Sequence, residues 1–469
     1  MSSAVVVGAG PNGLACAATL AAGGVAVTVI EAADRIGGGV RSSELTLPGL
    51  LHDECSGFHP MAVGSLARLG LDLERHGLEW LWPEVDLAHP LDGGDGAAML
   101  RSIDATTTGL GPAGPAWHRI FGPSAYHYEA LERDIYLPLA HLPRHPLALA
   151  RFGALALLPA TVLARRLVTP QARALFGGAC AHSFAPLSAP LSAAVGMALV
   201  CSGHRYGWPV ARGGSEAIAR ALAAAIEERG GRIETGRPVR SLDELPAADA
   251  VVLDLSPGAV VELAGGRLPA RVARAYRRYR HGPAAFKLDL AVEGGVPWSF
   301  EAARRAGTVH VAGPLAELVE AEREINRGRM PARPFVLVGQ QYLADPGRSR
   351  GDAHPVWAYA HVPAGYPGDA AEAILDQIER FAPGTRERVL ARTARGPAEL
   401  EAANANIVGG DIANGSNVGL RALIRPRLAL DPYATGIPGV FICSAATPPG
   451  AGAHGICGHN AARAVLRSL

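Results

Sequence analysis

Residues 4–31 read AVVVGAGPNGLACAATLAAGGVAVTVIE, an apolar strand, a glycine turn, a helix, a second strand and a terminal acid in unbroken succession. Val5, Val6 and Val7 suit a strand buried on both faces, and Gly8, Gly10 and Gly13 follow in the G-x-G-x-x-G spacing. Each glycine has its own task. Gly8 permits a sharp turn, Gly10 lets the backbone approach a pyrophosphate, and Gly13 lets the helix lie close to the strand. From Pro11 the helix directs Leu14, Ala17, Ala18 and Ala21 at the sheet, while its unpaired first-turn amides suit phosphate oxygens. Gly23 and Gly24 end it, and a strand over 25–30 delivers Glu31, 18 positions after Gly13, where a carboxylate suits two ribose hydroxyls better than a 2′-phosphate. The unit predicts a doubly wound α/β domain that holds an adenine dinucleotide.

Composition narrows the class further. At 469 residues, with 49% apolar and 19% charged residues, the chain predicts a folded protein of two or three domains. A net charge of +1 gives no general attraction to nucleic acid. Six cysteines without a C-x-x-C pair or zinc-like spacing imply no metal site and a reduced, cytoplasmic setting. A first strand beginning at Ala4 argues against a cleaved leader, and no stretch reaches membrane-spanning length. The longest charge-free apolar stretches, 152–164 and 187–202, read by length as buried helices. The alternative for the first is an interfacial segment flanked by Arg151, Arg165 and Arg166, hence peripheral membrane association.

Beyond Glu31, Gly37, Gly38 and Gly39 allow a second close backbone approach, with Arg41 available to a phosphate or a cofactor ring. Residues 50–200 lose the strand and helix alternation and predict a mostly helical insertion over an apolar cavity. The alternation returns at Gly213, with Ser215 as a helix N-cap and Ile218, Leu222 and Ile226 as one buried stripe. Strands follow at 232–235 and 248–255. Residues 276–425 read as a second irregular block containing strands at 284–291 and 357–362 and an amphipathic helix at 369–381. A strand at 439–445, a glycine-rich loop, TPPGAGAHGICGHN, and a terminal helix, AARAVLRSL, close the chain. The expected organisation is a cofactor domain from 1–75, 205–270 and 426–469 and an α+β substrate domain from 76–204 and 271–425.

Four stretches together, 4–31, GGG at 37–39, GGSEAIARALAAAIEERGGRI at 213–233 and IPGVFICSAATPPGAGAHGICGHNAARAV at 437–465, resemble the phytoene dehydrogenase-like flavoproteins. That group shares the glutathione-reductase-type Rossmann-like fold with the flavin amine oxidases. The resemblance implies FAD as cofactor, with Gly8, Gly10, Pro11, Asn12 and Gly13 at the pyrophosphate, Glu31 and Ala32 at the adenosine ribose, and Gly38, Gly39 and Arg41 nearby. It also implies Val239 at the adenine and Gly452, Ala453, His454 and Gly455 in a closing loop at the flavin. Relatives often place arginine directly after the glycine pair, whereas here Gly39 stands there and the arginine comes two positions later.

Of 44 basic residues only Lys287 is a lysine, and HGPAAFKLDLAVEGGVPW around it resembles the strand on which flavin amine oxidases keep a lysine near the flavin. Such a lysine, tuned by burial, holds water or a proton, and a surface lysine is the alternative reading. His454 and His459 flank the closing loop as acid or base candidates or as structural residues, and His52, Asp53 and His59 follow a region that approaches the flavin. The resemblance implies an FAD-dependent dehydrogenase or desaturase taking hydride from a hydrophobic, isoprenoid-like substrate. The alternatives are a flavin amine or amino-acid oxidase and a redox-inactive flavin-binding partner protein. No second G-x-G-x-x-G follows a strand and no redox cysteine pair is present, which argues against a pyridine nucleotide disulfide reductase.

Overall fold

Two sheets organise the chain, whose computed structural model describes residues 2–469. β1 (Ser3–Val7), β2 (Ala26–Ile30), β9 (Arg232–Glu234), β10 (Ala250–Leu253) and β16 (Val440–Ile442) form a parallel sheet in the order β16-β10-β1-β2-β9. Side chains alternate along β1. Ala4 and Val6 enter a core shared with the helices Pro11–Ala22, Glu216–Glu227 and Ile456–Leu466, while Val5 and Val7 enter one shared with Pro257–Ala264 and Ala270–Arg277. With helices on both faces the strand has no solvent side, and a valine run satisfies it.

A seven-stranded sheet comprises β6 (Val85–Pro90), β7 (Gly96–Met99), β11 (Ala284–Glu293), β12 (Ala306–Val311), β13 (Val336–Gly339), β14 (Ala353–Val362) and β15 (Val389–Arg395). Its order is β15-β11-β14-β13-β12-β6-β7, antiparallel except between β12 and β6. Two ribbons, β3 (Ser42–Ser43) with β4 (His52–Asp53) and β5 (Trp80–Leu81) with β8 (Val210–Ala211), complete the strands.

The two faces of this larger sheet differ because strand side chains alternate. On β11, Phe286, Leu288, Leu290 and Val292 enter an apolar core closed by the helix Ala371–Phe381. Lys287 and Asp289 therefore lie on the opposite face. Register extends that face: Asp289 pairs with Trp357, Trp357 with Gly339 and Gly339 with Thr308, and one row along Lys287 pairs with Tyr359, Tyr359 with Leu337 and Leu337 with His310.

Several expectations change. The block 276–425 is not irregular, since it supplies five strands of the larger sheet, and the helical insertion also contains β6 and β7. β6 pairs with β12 across more than two hundred residues, so no local pattern announces the pairing. Ser215 does not cap its helix by side chain: its Oγ lies 2.8 Å from His59 Nε2 and its N–H donates to Asp53 Oδ1 at 2.7 Å. The last helix starts at Ile456, five residues earlier than the expected AARAVLRSL, and includes Gly458. A Cβ there would sit 1.8 Å from the Asn12 carbonyl oxygen, so the first and last helices meet backbone to backbone.

The stretch 187–202 contributes to the well-buried helix Ala193–Tyr206, but 152–164 does not behave as a buried helix. It is divided between Pro146–Ala156, of which only Phe152 and Ala156 are buried, and Ala160–Ala164. Among the described residues no helix is long and apolar enough to cross a membrane.

Candidate active site

A cavity of about 1050 Å³ is lined by residues of both sheets. One part of its wall is Gly8, Gly10, Pro11, Asn12, Glu31, Ala32, Gly38, Gly39, Val239, Gly452 and Ala453. Gly8 adopts φ +101°, and a Cβ on Gly13 would stand 2.0 Å from the Gly8 carbonyl oxygen. Gly13 thus works by packing and does not line the cavity, as is true of Gly455. Gly10 offers no capping side chain to the helix that follows it; Pro11 has no N–H and the Gly13 N–H goes to Asp254, so the Asn12 N–H is the first-turn amide left for an anion.

Glu31 is fixed by two backbone donors, Ala9 N–H to Oε2 at 2.7 Å and Ala33 N–H to Oε1 at 2.9 Å. Each oxygen keeps a lone pair for a ribose hydroxyl. Arg41 does not meet the expectation of a phosphate contact. Its guanidinium is buried behind Glu31, with Nη2 3.6 Å from Oε1, and donates to the carbonyls of Ile36, Ala403 and Arg35 at 3.2, 3.2 and 2.8 Å.

Two further lining residues escaped the sequence reading, Arg237 and Asp254. Asp254 follows β10, the neighbour of β1, and its Oδ2 accepts the Gly13 N–H at 2.9 Å. Burial pushes its carboxyl up to about 7, with the Glu31 charge adding to the effect and the Gly13 bond opposing it. An acid closing the apolar run ADAVVL was the available signal. Taken together, a glycine backbone, an uncapped helix start and a paired acid fit an adenine dinucleotide.

The catalytic candidates separate. Lys287 is neither on the surface nor among the lining residues: it is buried, bonded to Asp289, and its Nζ stands 5.9 Å from the ring centroid of Trp357, which does line the cavity. Burial lowers its pKa, with Asp289 opposing. Burial also acts to raise Asp289, but the Lys287 charge prevails and holds that carboxyl below its usual value. His52 Nδ1 lies 3.4 Å from Asp289 and its Nε2 2.8 Å from Thr46 Oγ1. Asp53 is a structural hub that accepts from Arg348 at 2.6 Å and Ser42 at 2.8 Å.

His454 lies off the cavity wall, stacked on Tyr136 with its Nδ1 accepting the Ile456 N–H at 3.1 Å. Burial takes its pKa down to about 4, so it is neutral at pH 7 and occupied with the helix start. This geometry makes it a structural residue and not the acid or base expected. His459, also lowered to about 4 by burial, lies 3.1 Å from Thr19 Oγ1. Of the histidines singled out in the sequence only His59 reaches the cavity.

The rest of the wall is apolar and aromatic, including Phe58, Phe152, Leu199, Leu337, Trp357 and Tyr359. Trp357 and Tyr359 stand 5.1 Å apart at 86°, neighbours on one face of β14. Polar groups interrupt this wall, among them Asn414, Asn417 and Arg425, whose Nε and Nη1 have no hydrogen-bond partner, and a pair over the larger sheet. Thr308 Oγ1 is buried and has no hydrogen-bond partner, and His182, also lining, lies with its Nε2 2.9 Å from His310 Nε2.

His310 Nδ1 is buried without a partner. A buried N–H left unpaired costs more than an idle acceptor, which assigns the His310 proton to Nε2 and makes His182 Nε2 the acceptor. His182, lowered to about 3 by burial, is then a neutral ring with its N–H on Nδ1. The carboxylates on the wall are committed elsewhere: Glu31 and Asp254 belong to the dinucleotide cradle, and Asp134 accepts the N–H groups of Arg144 and His145, both at 2.9 Å.

Compared with known proteins, residues 12–275, more than half of the chain, match the flavin-containing amine oxidoreductases. The chain belongs to that family. Its flavin, in a cradle built for an adenine dinucleotide, is FAD. This placement is broader than the phytoene dehydrogenase-like group that the motifs resemble.

A relative of this flavin amine oxidoreductase in Rattus norvegicus, pyridine nucleotide-disulfide oxidoreductase domain-containing protein 2, is 24% identical over 555 residues, covering 99% of this chain and 93% of the relative. The six cysteines of the present chain are free. Among solved structures, an oxidoreductase from Methanosarcina mazei superposes with a TM-score of 0.64 at 17% identity, covering 99% of this chain and 100% of that one. A putrescine oxidase bound to putrescine gives 0.62 at 18% identity, covering 99% and 97%. These likenesses establish a shared fold.

Proposed function

We propose that this flavoprotein oxidises an apolar substrate that carries a hydrogen-bond acceptor such as a carbonyl or hydroxyl oxygen. One observation carries the reading: a single cavity of about 1050 Å³ joins the dinucleotide cradle to a largely apolar compartment whose wall offers hydrogen-bond donors from the neutral His182, the unpartnered Thr308 hydroxyl and the Arg425 guanidinium. Such a compartment disfavours a cation, because the carboxylates on its wall are committed elsewhere and the charge that faces it is the Arg425 guanidinium, whose Nε and Nη1 have no hydrogen-bond partner. FAD, when bound, supplies the hydride acceptor.

In this reading Gly8, Gly10, Pro11 and Asn12 hold the pyrophosphate, in a turn that Gly13 packs, with Glu31 at the ribose and Val239 at the adenine. Gly38, Gly39, Gly452 and Ala453 approach the cofactor by backbone. Lys287 is held by Asp289 behind Trp357 and supports that wall of the site. His182 and Thr308 orient the substrate.

Amine oxidation is the second reading, favoured by the family and by the perpendicular faces of Trp357 and Tyr359, which can flank a deprotonated amine. Anaerobic mixing of the FAD-loaded protein with isoprenoid, fatty and amine compounds, followed by loss of the oxidised-flavin absorbance, separates the readings. The expected result is bleaching by an apolar compound. Bleaching by amines alone overturns the first reading in favour of the second, and a flavin that cannot be photoreduced and reoxidised leaves a binding protein without redox activity.

A further inference from the structure

Between Asp134 and Glu216 the chain has no acidic residue, while seven arginines give this stretch a charge of +7 in a protein whose net charge is +1. The same stretch is unusually greasy on its outside. Leu139, Leu142, Leu147 and Leu157 are 62%, 91%, 86% and 53% exposed, and Leu420, Leu428 and Leu430, from a second segment, are 65%, 77% and 87% exposed. The helix Pro146–Ala156, PLALARFGALA, has Arg151 as its sole charge yet buries only Phe152 and Ala156. A helix apolar on all sides belongs in a core or at an interface, so this one lacks its partner.

The two segments form one surface. Leu137, Pro138, Arg144 and Leu430 line a shared small cleft, which places Leu430 beside 137–144. Both segments also border the main cavity, through Leu139, Leu149, Phe152 and Leu157 on one side and Ala422 and Leu423 on the other. The exposed leucines therefore adjoin the wall of the apolar compartment.

We propose that this face docks on an anionic lipid bilayer, from which an apolar substrate passes directly into the cavity. Exposed leucines supply area to be buried among acyl chains, and arginines at 144, 151, 165 and 166 meet anionic headgroups. A second copy of the chain is a poor occupant, because an isologous contact would bring one face on which arginines outnumber Asp431 against another. Passage of substrate from the bilayer rests on the apolar-substrate reading, while docking stands without it.

The test mixes the FAD-loaded protein with sedimentable vesicles of phosphatidylcholine alone or of phosphatidylcholine and phosphatidylglycerol in equal parts. Co-sedimentation with the anionic vesicles is expected to be about ten-fold stronger or more, to weaken in high salt, and to fall about five-fold for each of Arg151→Glu and Arg165→Glu. The exposed pair Leu142→Glu with Leu147→Glu is expected to lower it by about ten-fold or more, with the FAD spectrum and photoreduction unchanged.

Two outcomes overturn the docking: equal or no sedimentation with both vesicle types, and a solution dimer that the double leucine variant dissociates. If the protein docks but vesicles loaded with an apolar compound that bleaches the flavin in detergent do not bleach it, passage from the bilayer is refuted. If no apolar compound bleaches it even in detergent while docking persists, the substrate reading fails and the docking surface survives.

Discussion

At the five-stranded sheet the cavity is walled mainly by backbone, and over the seven-stranded sheet it is walled by side chains. The first region uses Gly8 and Gly10, the uncapped helix start and the Gly452–Ala453 segment, with Glu31 and Asp254 themselves pinned by amides. The second uses Trp357, Tyr359, Thr308 and His182, each from a different place in the chain or a different row of the sheet. A pyrophosphate offers the same oxygens in every member of a family, so a fixed backbone suffices for it. Substrates differ, and only side chains can be exchanged without moving the chain.

That contrast can be broken most forcefully at Gly13. A methyl group there meets the Gly8 carbonyl at 2.0 Å, backbone against backbone, and neither can yield while the turn persists. Gly13→Ala is expected to lose about a hundred-fold or more in FAD affinity, read from the flavin retained on protein whose circular dichroism is otherwise native. Full FAD content in this variant would mean that the turn does not hold the cofactor.

Next in size is the buried ion pair under the substrate compartment. Lys287→Met strands the Asp289 charge and is expected to cost about 3 kcal/mol of stability in denaturant unfolding, with FAD affinity unchanged. Adding Asp289→Leu should recover most of the loss. A single variant as stable as the wild type would show that the pair does not support the sheet face.

A smaller effect tests the cradle by pH. The Asp254 carboxyl, raised to about 7 by burial, is neutral below that pH and charged above it, beside the place of the pyrophosphate. FAD affinity should therefore fall by about ten-fold between pH 6 and pH 8 and be flat in Asp254→Asn, as equilibrium fluorescence titration can read. A flat wild-type profile removes Asp254 from the cradle. The smallest change is expected for Thr308→Val, about 1 kcal/mol or five-fold in the KM of the best substrate, with kcat and FAD content little altered. A fall in kcat at constant KM would instead give Thr308 a role in the chemistry.

The same contrast explains what could be read without coordinates. The glycine turn, Glu31 and the closing loop are local in sequence, and their spacing alone carries physical meaning. Asp254 and Arg237 needed the strand order β10-β1-β2-β9 to bring them to that turn. In the substrate region alternation was visible within single strands, with Trp357, Tyr359 and His361 opposite Val356, Ala358 and Ala360 in HPVWAYAHV. What no local pattern supplies is which strands lie side by side, and so which rows share the cavity face. Arg41 misled because burial of a guanidinium among carbonyls has no signature in a glycine loop. His454 misled because a helix start and an active site ask for the same residue types.

A plug in the apolar compartment decides whether that compartment delivers substrate to the flavin. Ala198 lies on the wall of that compartment, away from the cradle residues. In Ala198→Trp, FAD content and photoreduction are expected to match the wild type, while anaerobic reduction by the best apolar compound slows by about a hundred-fold or more. Unchanged reduction by that compound would contradict the account, because substrate would then reach the flavin by another route.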